Sequence, residues 1–137
     1  MDYYRLSEEP LYAAISLKKD GIYRMSVSMA TLAIDLLLKS VLYRLNNTSE
    51  LLMGHNHIGI FREIESRYPK AELRTVVKLS RKYFNDSRYS NSASFPTFTE
   101  TLAADFIRYV QQVKDYVDTD CQATLDDLLM RFGKSDL

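Results

Sequence analysis

The feature that most constrains this sequence is the stretch from Ile22 to Leu45, which contains neither glycine nor proline. Its apolar residues recur at helical spacing and form two stripes, Met25, Met29, Leu32 and Leu36 in one, and Ala30, Ile34, Leu37 and Val41 in the other. A helix with so wide an apolar surface either lies at the centre of a fold or serves a core and a subunit interface together. Because one bundle interior needs less apolar surface than this, we expect a homodimer.

Helical patterns account for most of the remaining chain, and the three prolines and four glycines fall between them. The first pattern has an N-cap at Ser7 and stops at Gly21. A capping box, Thr97 with Glu100, begins a later helix whose apolar residues alternate at spacings of four and three. The other predicted helices are residues 22–45, about 58–66, about 70–84 and an amphipathic C-terminal helix over about 119–133.

No strand pattern and no repeat is visible in the sequence. It therefore predicts an all-α protein, an up-down bundle of four or five helices with an extra C-terminal helix. We expect its 137 residues to form one domain with a core over about residues 8–118. The single cysteine, Cys121, excludes an intramolecular disulfide and the cysteine-based zinc patterns.

Charge and hydropathy predict a cytoplasmic protein. The formal net charge is zero, so no overall field attracts the chain to nucleic acid or membranes. The opening residues, MDYYRLSEEP, lack the basic and apolar segments of a signal peptide. The most apolar stretch, Met29 to Leu38, contains Asp35 and is too short to span a bilayer.

Both histidines of the chain lie in the segment GHNHIGIF, as His55 and His57. We interpret this segment first as a helix entrance, in which Asn56 or His57 caps the next helix and other side chains hydrogen-bond across the bundle. The second interpretation is a ligand site, or a metal site with Asp86 or Glu63 as a third ligand. The third is a catalytic role, because imidazoles are the common acid–base groups near neutral pH.

The region between residues 67 and 88 is strongly basic, with seven basic residues against two acidic ones. Helical spacing predicts an anion-binding strip formed by Lys70, Arg74, Lys78, Arg81 and Lys82. This strip leads to a polar loop in which Arg88 can hold a phosphate and Tyr89 or Phe95 can stack on a base. One alternative is a solvated helix face that pairs with the acidic residues after 115. Another is that Arg88 ties the loop to Asp35 or Glu100.

Several segments, in this order, resemble the HEPN family of small helical-bundle proteins over roughly residues 8–118. The stretch LYAAISLKKDGIYRMSVSMATLAIDLLLKSVLY is similar to the family's first two helices, and its long helix carries Asp35 and, four residues later, Lys39. GHNHIGIF resembles the family's Gly-His-Asn/Asp segment, with His55 the better match. FNDSRYSNS resembles its Arg-Tyr-Pro loop, in which Arg88 and Tyr89 match and a serine replaces the proline.

The resemblance implies a bundle that is usually dimeric and is often the partner of a nucleotidyltransferase in a toxin–antitoxin pair, while some members are ribonucleases. Ribonuclease members carry an arginine four to six residues before a helical histidine, but residues 48–52 include no arginine. We therefore predict a non-catalytic module without metal or cofactor, which binds a nucleotide or RNA phosphate or such a partner. Its predicted ligand-binding residues are His55, His57, Arg88, Tyr89, Asp35 and Lys39. The rival hypotheses are a ribonuclease with a non-standard His/Arg site and a purely structural interaction domain.

Overall fold

Six α-helices and two short 3-10 turns make up residues 1–89 and 97–122, the part of the chain that the computed structural model describes. No strand occurs within these residues. The helices are α1 (Tyr3–Leu6), α2 (Glu8–Lys19), α3 (Tyr23–Leu45), α4 (His57–Glu65), α5 (Arg74–Arg88) and α6 (Glu100–Thr119), and the 3-10 turns are Glu50–Met53 and Ala71–Leu73. The predicted all-α helical bundle is confirmed.

Helix α3 lies at the centre of the bundle, because α2, α4, α5 and α6 all pack against it. Ala30, Ile34 and Leu38 of α3 are completely buried, as is Val110 of the facing helix α6. One apolar stripe of α3 remains partly open, and Met25 at its start is 48% exposed. One apolar stripe of this helix therefore lies in the core, and the other is partly exposed to solvent. This agrees with the wide apolar surface that the two-stripe pattern predicted.

The stretch Met29–Leu38, which was predicted to be too short to span a bilayer, belongs to a longer apolar helix. Helix α3 has 23 residues, and its most apolar part has a mean hydropathy of 1.6, which satisfies the length and composition of a membrane span. However, 72% of that part is buried inside the protein. Because the other helices cover it, α3 has the surroundings of a core helix.

The turn between α2 and α3 depends on a glycine. Gly21 has a φ angle of +76°, a left-handed conformation that other L-amino acids adopt only at an energetic cost. Just beyond it, the Ser26 hydroxyl donates a hydrogen bond of 2.7 Å to the carbonyl of Ala14 and fixes α3 against α2. The predicted stop of the first long helix at Gly21 is confirmed.

Of the two predicted helix caps, the position of Ser7 is confirmed and that of Thr97 is wrong. Ser7 is the N-cap residue of α2, but its side chain makes no capping hydrogen bond, because its hydroxyl donates back to the carbonyl of Tyr4 at the end of the unpredicted helix α1. Helix α6 is capped by Thr99 rather than Thr97, since the Thr99 hydroxyl accepts a 3.1 Å hydrogen bond from the Leu102 amide. Thr97 and Thr99 are only two residues apart, and local propensity alone does not choose between them.

The end of α5 also differs from the prediction, and this difference matters for the site. We expected the helix to end near residue 84, but it continues to Arg88, which is therefore helical, while Tyr89 is the C-cap. The predicted stacking residue Phe95, the serine that replaces the family's proline, and the C-terminal amphipathic helix beyond Gln122 lie outside the described residues.

Candidate functional site

A buried carboxylate in the middle of α3, Asp35, is the centre of the candidate site. Its Oδ2 atom lies 3.0 Å from Nζ of Lys39, one helical turn later, and 3.2 Å from Nδ1 of His55. Its Oδ1 atom lies 3.2 Å from Nε2 of His57. Asp35, Lys39 and His57 are buried, whereas 48% of the His55 side chain is exposed. The structure thus brings together four of the predicted ligand-binding residues.

The protonation states of this cluster follow from its burial and charges. Burial would raise the pKa of Asp35, but the close polar contact with His57 and the ammonium group of Lys39 together hold its pKa below the ordinary value. An ionised carboxylate only accepts hydrogen bonds, so Nδ1 of His55 donates its proton to Asp35. The Nε2 atom of His55 then has no partner among the described residues.

His57 is a neutral, buried link between α3 and α5. Burial lowers the pKa of His57 below its ordinary value and outweighs the opposing effect of Asp35. With the Nε2 proton directed at Asp35, Nδ1 is free to accept, and the Ser80 hydroxyl donates to it over 2.9 Å. Neither His57 Nε2 nor Asp35 Oδ1 makes a hydrogen bond of good geometry within the described residues, although they are 3.2 Å apart.

The entrance of α4 matches the first interpretation of the histidine segment. Asn56 is the N-cap, and its side-chain oxygen accepts a 3.0 Å hydrogen bond from the Gly59 amide. His57 is the first helical residue and points inward. Within residues 1–89 and 97–122 no group of three histidine, cysteine, aspartate or glutamate side chains can hold a metal ion. The structure therefore does not support the alternative of a metal site completed by Asp86 or Glu63.

The ring of Phe84 on α5 joins the two histidines and Arg88. Its centroid lies 4.6 Å from that of His55 and 5.1 Å from that of His57. The guanidinium carbon of Arg88 lies 3.7 Å from the same centroid, a cation–π contact. Sequence reasoning missed Ser80 and Phe84 as members of this cluster. The signal was the four-residue interval between Ser80, Phe84 and Arg88, which places them on one side of a helix only when α5 extends to Arg88.

Arg88 fastens the end of α5 to α3. Its Nη2 atom donates to the Ser28 carbonyl over 2.8 Å, and its Nη1 atom donates over 3.1 Å to the Thr31 hydroxyl and to the carbonyl of Phe84. Burial lowers the pKa of Arg88 but leaves it a cation. Arg88 therefore has the structural role that was predicted as an alternative to phosphate binding, but its partners on α3 are Ser28 and Thr31.

The partners predicted for that tie are wrong. Asp35 makes no hydrogen bond to Arg88 and acts on it only through its charge, while Glu100 lies 3.9 Å from Lys18. A second hydrogen bond connects the same two helices: Nε of Arg24 on α3 donates to the Ser87 carbonyl on α5 over 2.8 Å. Tyr89, the next predicted site residue, is 73% exposed.

The predicted anion-binding strip is divided by internal contacts. Lys70 lies 3.0 Å from Asp120, and Arg74 lies 2.8 Å from Glu65. Arg81 donates a 3.0 Å hydrogen bond to the Asn85 side chain. The remaining two members, Lys78 and Lys82, are exposed and have no ion pair within the described residues. The ion pair between Lys70 and Asp120 agrees with the alternative prediction, in which this helix face pairs with acidic residues after 115.

Comparison with known proteins identifies the family. The family model of the HEPN domain matches residues 1–120, which is most of the chain and includes every element described above. Comparisons with curated proteins and with solved structures gave no match at the required significance. On the strength of the family match, the chain belongs to the HEPN domain family.

Proposed function

We propose that this chain is a non-catalytic HEPN domain that binds the phosphates of RNA. The HEPN family is generally related to nucleotides and RNA. One observation carries the non-catalytic part of the proposal: one of the two histidines and the nearby arginine are held by contacts within the bundle. His57 is completely buried between Asp35 and Ser80, and the guanidinium of Arg88 makes three hydrogen bonds to protein groups.

The binding part of the proposal is supported by the exposed side of α5. Lys82 and Tyr89 are seven residues apart, which places them on one side of the helix about two turns from each other. Lys82 is exposed and Tyr89 is 73% exposed. A lysine that neutralises a phosphate beside a tyrosine that stacks on a base is a common arrangement for single-stranded nucleic acid.

Fluorescence anisotropy with a labelled single-stranded RNA tests this proposal. The double variant Lys82→Glu/Tyr89→Ala should bind RNA at least tenfold more weakly than the unmodified protein. The matched control is Lys19→Glu/Tyr12→Ala on α2, where an exposed lysine and a tyrosine that is 77% exposed have the same spacing. Equal weakening by both variants, or no RNA binding by the unmodified protein, would contradict the proposal.

A second candidate function, RNA cleavage at a non-standard site, is favoured by the contact between Asp35 and His55. A carboxylate that holds Nδ1 leaves Nε2 of the imidazole available as a general base, and His55 is half exposed. Incubation of mixed RNA with the protein and with the variant His55→Ala distinguishes the two functions. Cleavage that disappears in the variant would establish the second function and refute the first.

We further propose that two copies associate through the open stripe of α3. Ile22 and Met25 are 46% and 48% exposed, and Met29, Leu32 and Leu36 continue the same line of partly exposed apolar residues. Sedimentation of the unmodified protein should give a dimer at micromolar concentration. Met25→Glu should shift it towards monomer, whereas Tyr12→Glu on α2 should not. A monomer in the unmodified protein would refute this proposal.

A separately encoded nucleotidyltransferase is the protein partner that we propose. The support is family membership, together with an exposed surface that carries cations of α5. A pull-down with the tagged chain from its native cells should recover such an enzyme in stoichiometric amount. Recovery of the chain alone, under conditions in which it is folded, would refute this part.

A further inference from the structure

A groove between α4 and α5 has an apolar floor and a positively charged border. The floor consists of Ile58, Phe61 and Val77, of which the last two are almost completely buried while Ile58 is partly exposed. Arg62 of α4 and Lys78 of α5 border the groove, and both are exposed and make no ion pair within the described residues. An apolar helix face with an acidic residue at its edge has the chemistry to cover such a groove.

The last described residues lie beside one end of this groove. The side chain of Asp120, which follows α6, lies 3.0 Å from Nζ of Lys70, and the Lys70 amide donates a 3.1 Å hydrogen bond to Glu65. Glu65 lines the groove at that end. A second contact links α6 to the groove floor, since the ring centroid of Tyr116 lies 5.9 Å from that of Phe61. The next part of the chain therefore starts close to the groove.

The sequence of residues 123–132 has an apolar face that fits the floor. Four apolar residues at positions i, i+3, i+4 and i+7 form one face of a helix: Leu125, Leu128, Leu129 and Phe132. The first and the last of them are seven residues apart, as are Ile58 and Glu65 of α4. Seven residues of helix extend over about 10 Å, so this apolar face is as long as the α4 wall of the groove.

The order of charges in this segment also fits the groove. Asp126 follows Leu125 directly and lies at the edge of the apolar face. Arg62 and Lys78 lie about one helical turn inside the end where the segment starts. The early part of the segment therefore brings a carboxylate to the two exposed cations. The basic residue Arg131 comes more than one turn later and lies beyond them.

A larger cavity, of about 530 Å³, is the alternative position for the segment, because Gln122 itself lines it. The charged lining residues of this cavity are Asp2, Asp118 and Arg44. Two carboxylates thus stand against one guanidinium, which already donates to the Cys121 carbonyl. This cavity disfavours a segment that begins with two acidic residues, whereas the groove between α4 and α5 attracts it.

We infer that residues 123–132 form a helix that docks in the groove between α4 and α5 of the same chain. The apolar face covers the floor and removes it from water, and Asp126 lies beside the exposed cations of the border. The docked segment closes the groove to other molecules. This inference is independent of the proposed function, because Lys82 and Tyr89 do not line the groove.

Tryptophan fluorescence of the full chain tests the inference, because the sequence contains no tryptophan. In Phe132→Trp the introduced indole faces the groove, and its emission maximum should lie at a shorter wavelength than in Met130→Trp, where helical rotation turns the indole to solvent. Acrylamide should quench Phe132→Trp at least about threefold less than Met130→Trp. Equal emission and equal quenching in the two variants would overturn the inference.

A substitution in the floor shows where the indole is buried. Added to Phe132→Trp, Ile58→Gln should move the emission to a longer wavelength and increase the quenching by acrylamide. Leu51→Gln is the matched control, because Leu51 is also partly buried but does not line the groove, and it should leave the emission unchanged. An indole that stays protected after Ile58→Gln is buried elsewhere, which would overturn the inference.

A charge exchange gives the same answer without touching the floor, should Ile58→Gln impair folding. Added to Phe132→Trp, Arg62→Glu/Lys78→Glu should increase the quenching, because the border then repels Asp126. Asp126→Lys should restore the protection, whereas Asp127→Lys, on the opposite side of the helix, should not. Equal effects of the two lysine variants would overturn the inference. Protection that disappears on dilution of the protein would assign the groove to a second copy and would also overturn it.

Discussion

Replacement of Arg88 by alanine tests whether this residue is a structural tie or a ligand-binding group. The substitution removes the 2.8 Å hydrogen bond to Ser28, the two 3.1 Å hydrogen bonds to Thr31 and Phe84, and the cation–π contact with the Phe84 ring. A hydrogen bond from a charged group contributes about 1.5–3 kcal/mol net, but these three share one guanidinium and are not additive. The lost acceptors are not all left unsatisfied, because Thr31 still donates to the Ser28 carbonyl over 2.8 Å.

We therefore expect Arg88→Ala to lower the free energy of unfolding by about 2–4 kcal/mol. For a chain of this length the melting temperature should fall by roughly 6–12 °C. Calorimetric melting curves measure the change in stability, and RNA anisotropy well below the melting transition measures affinity per folded molecule. That affinity should remain within about twofold of the unmodified protein, because the guanidinium faces α3.

Two further variants sharpen the interpretation. Arg88→Lys keeps the charge but loses the fork that reaches both acceptors on α3, so it should recover less than half of the lost stability. Arg62→Ala removes an exposed arginine without an ion pair among the described residues and should change stability by no more than about 0.5 kcal/mol. An Arg88→Ala variant that melts normally and loses RNA affinity would refute the structural role and restore the ligand-binding one.

Two other predictions concern the entrance of α4. Gly59→Ala should destabilise the protein by about 0.5–2 kcal/mol in urea titrations, because the new Cβ would lie 2.6 Å from Nδ2 of the capping Asn56. Gly54→Ala, with no atom within 4 Å of its Cβ, is the control, and equal effects would contradict the steric argument. The lowered pKa of His57 means that the unfolded state binds its proton first, so stability should fall as the pH drops below about 6.5. The free energy of unfolding should change by up to about 1.4 kcal/mol per pH unit. This pH dependence should disappear in the variant His57→Gln, and any pH dependence that persists in the variant comes from other titrating groups.

The sequence by itself determined the class of fold and its central element. Helical periodicity is a local property, so the two apolar stripes between Ile22 and Leu45 were enough to predict a long helix with a wide buried surface. The stop at Gly21 was equally local, since only the backbone at that position decides it. The HEPN resemblance also rested on short segments in order, and the family match confirms it.

The candidate site was predicted in its membership but not in its contacts. Asp35, Lys39, His55 and His57 were all named from the sequence, and the structure brings them together. Their ligand-binding role remains a prediction. The sequence did not show that Asp35 is the shared partner of the other three, because His55 and His57 lie on a different segment from the helix that carries it.

Only the tertiary structure decided which candidate side chains are held by contacts inside the bundle and which remain available to a ligand. Arg88 was expected in a loop, but packing of α5 against α3 extends the helix and turns the guanidinium to partners that are 57 and 60 residues away in the chain. Ser80 and Phe84 acquired their places in the same way. A buried charge or imidazole must find partners wherever the packing of helices provides them, and that choice depends on the whole bundle rather than on neighbours in sequence.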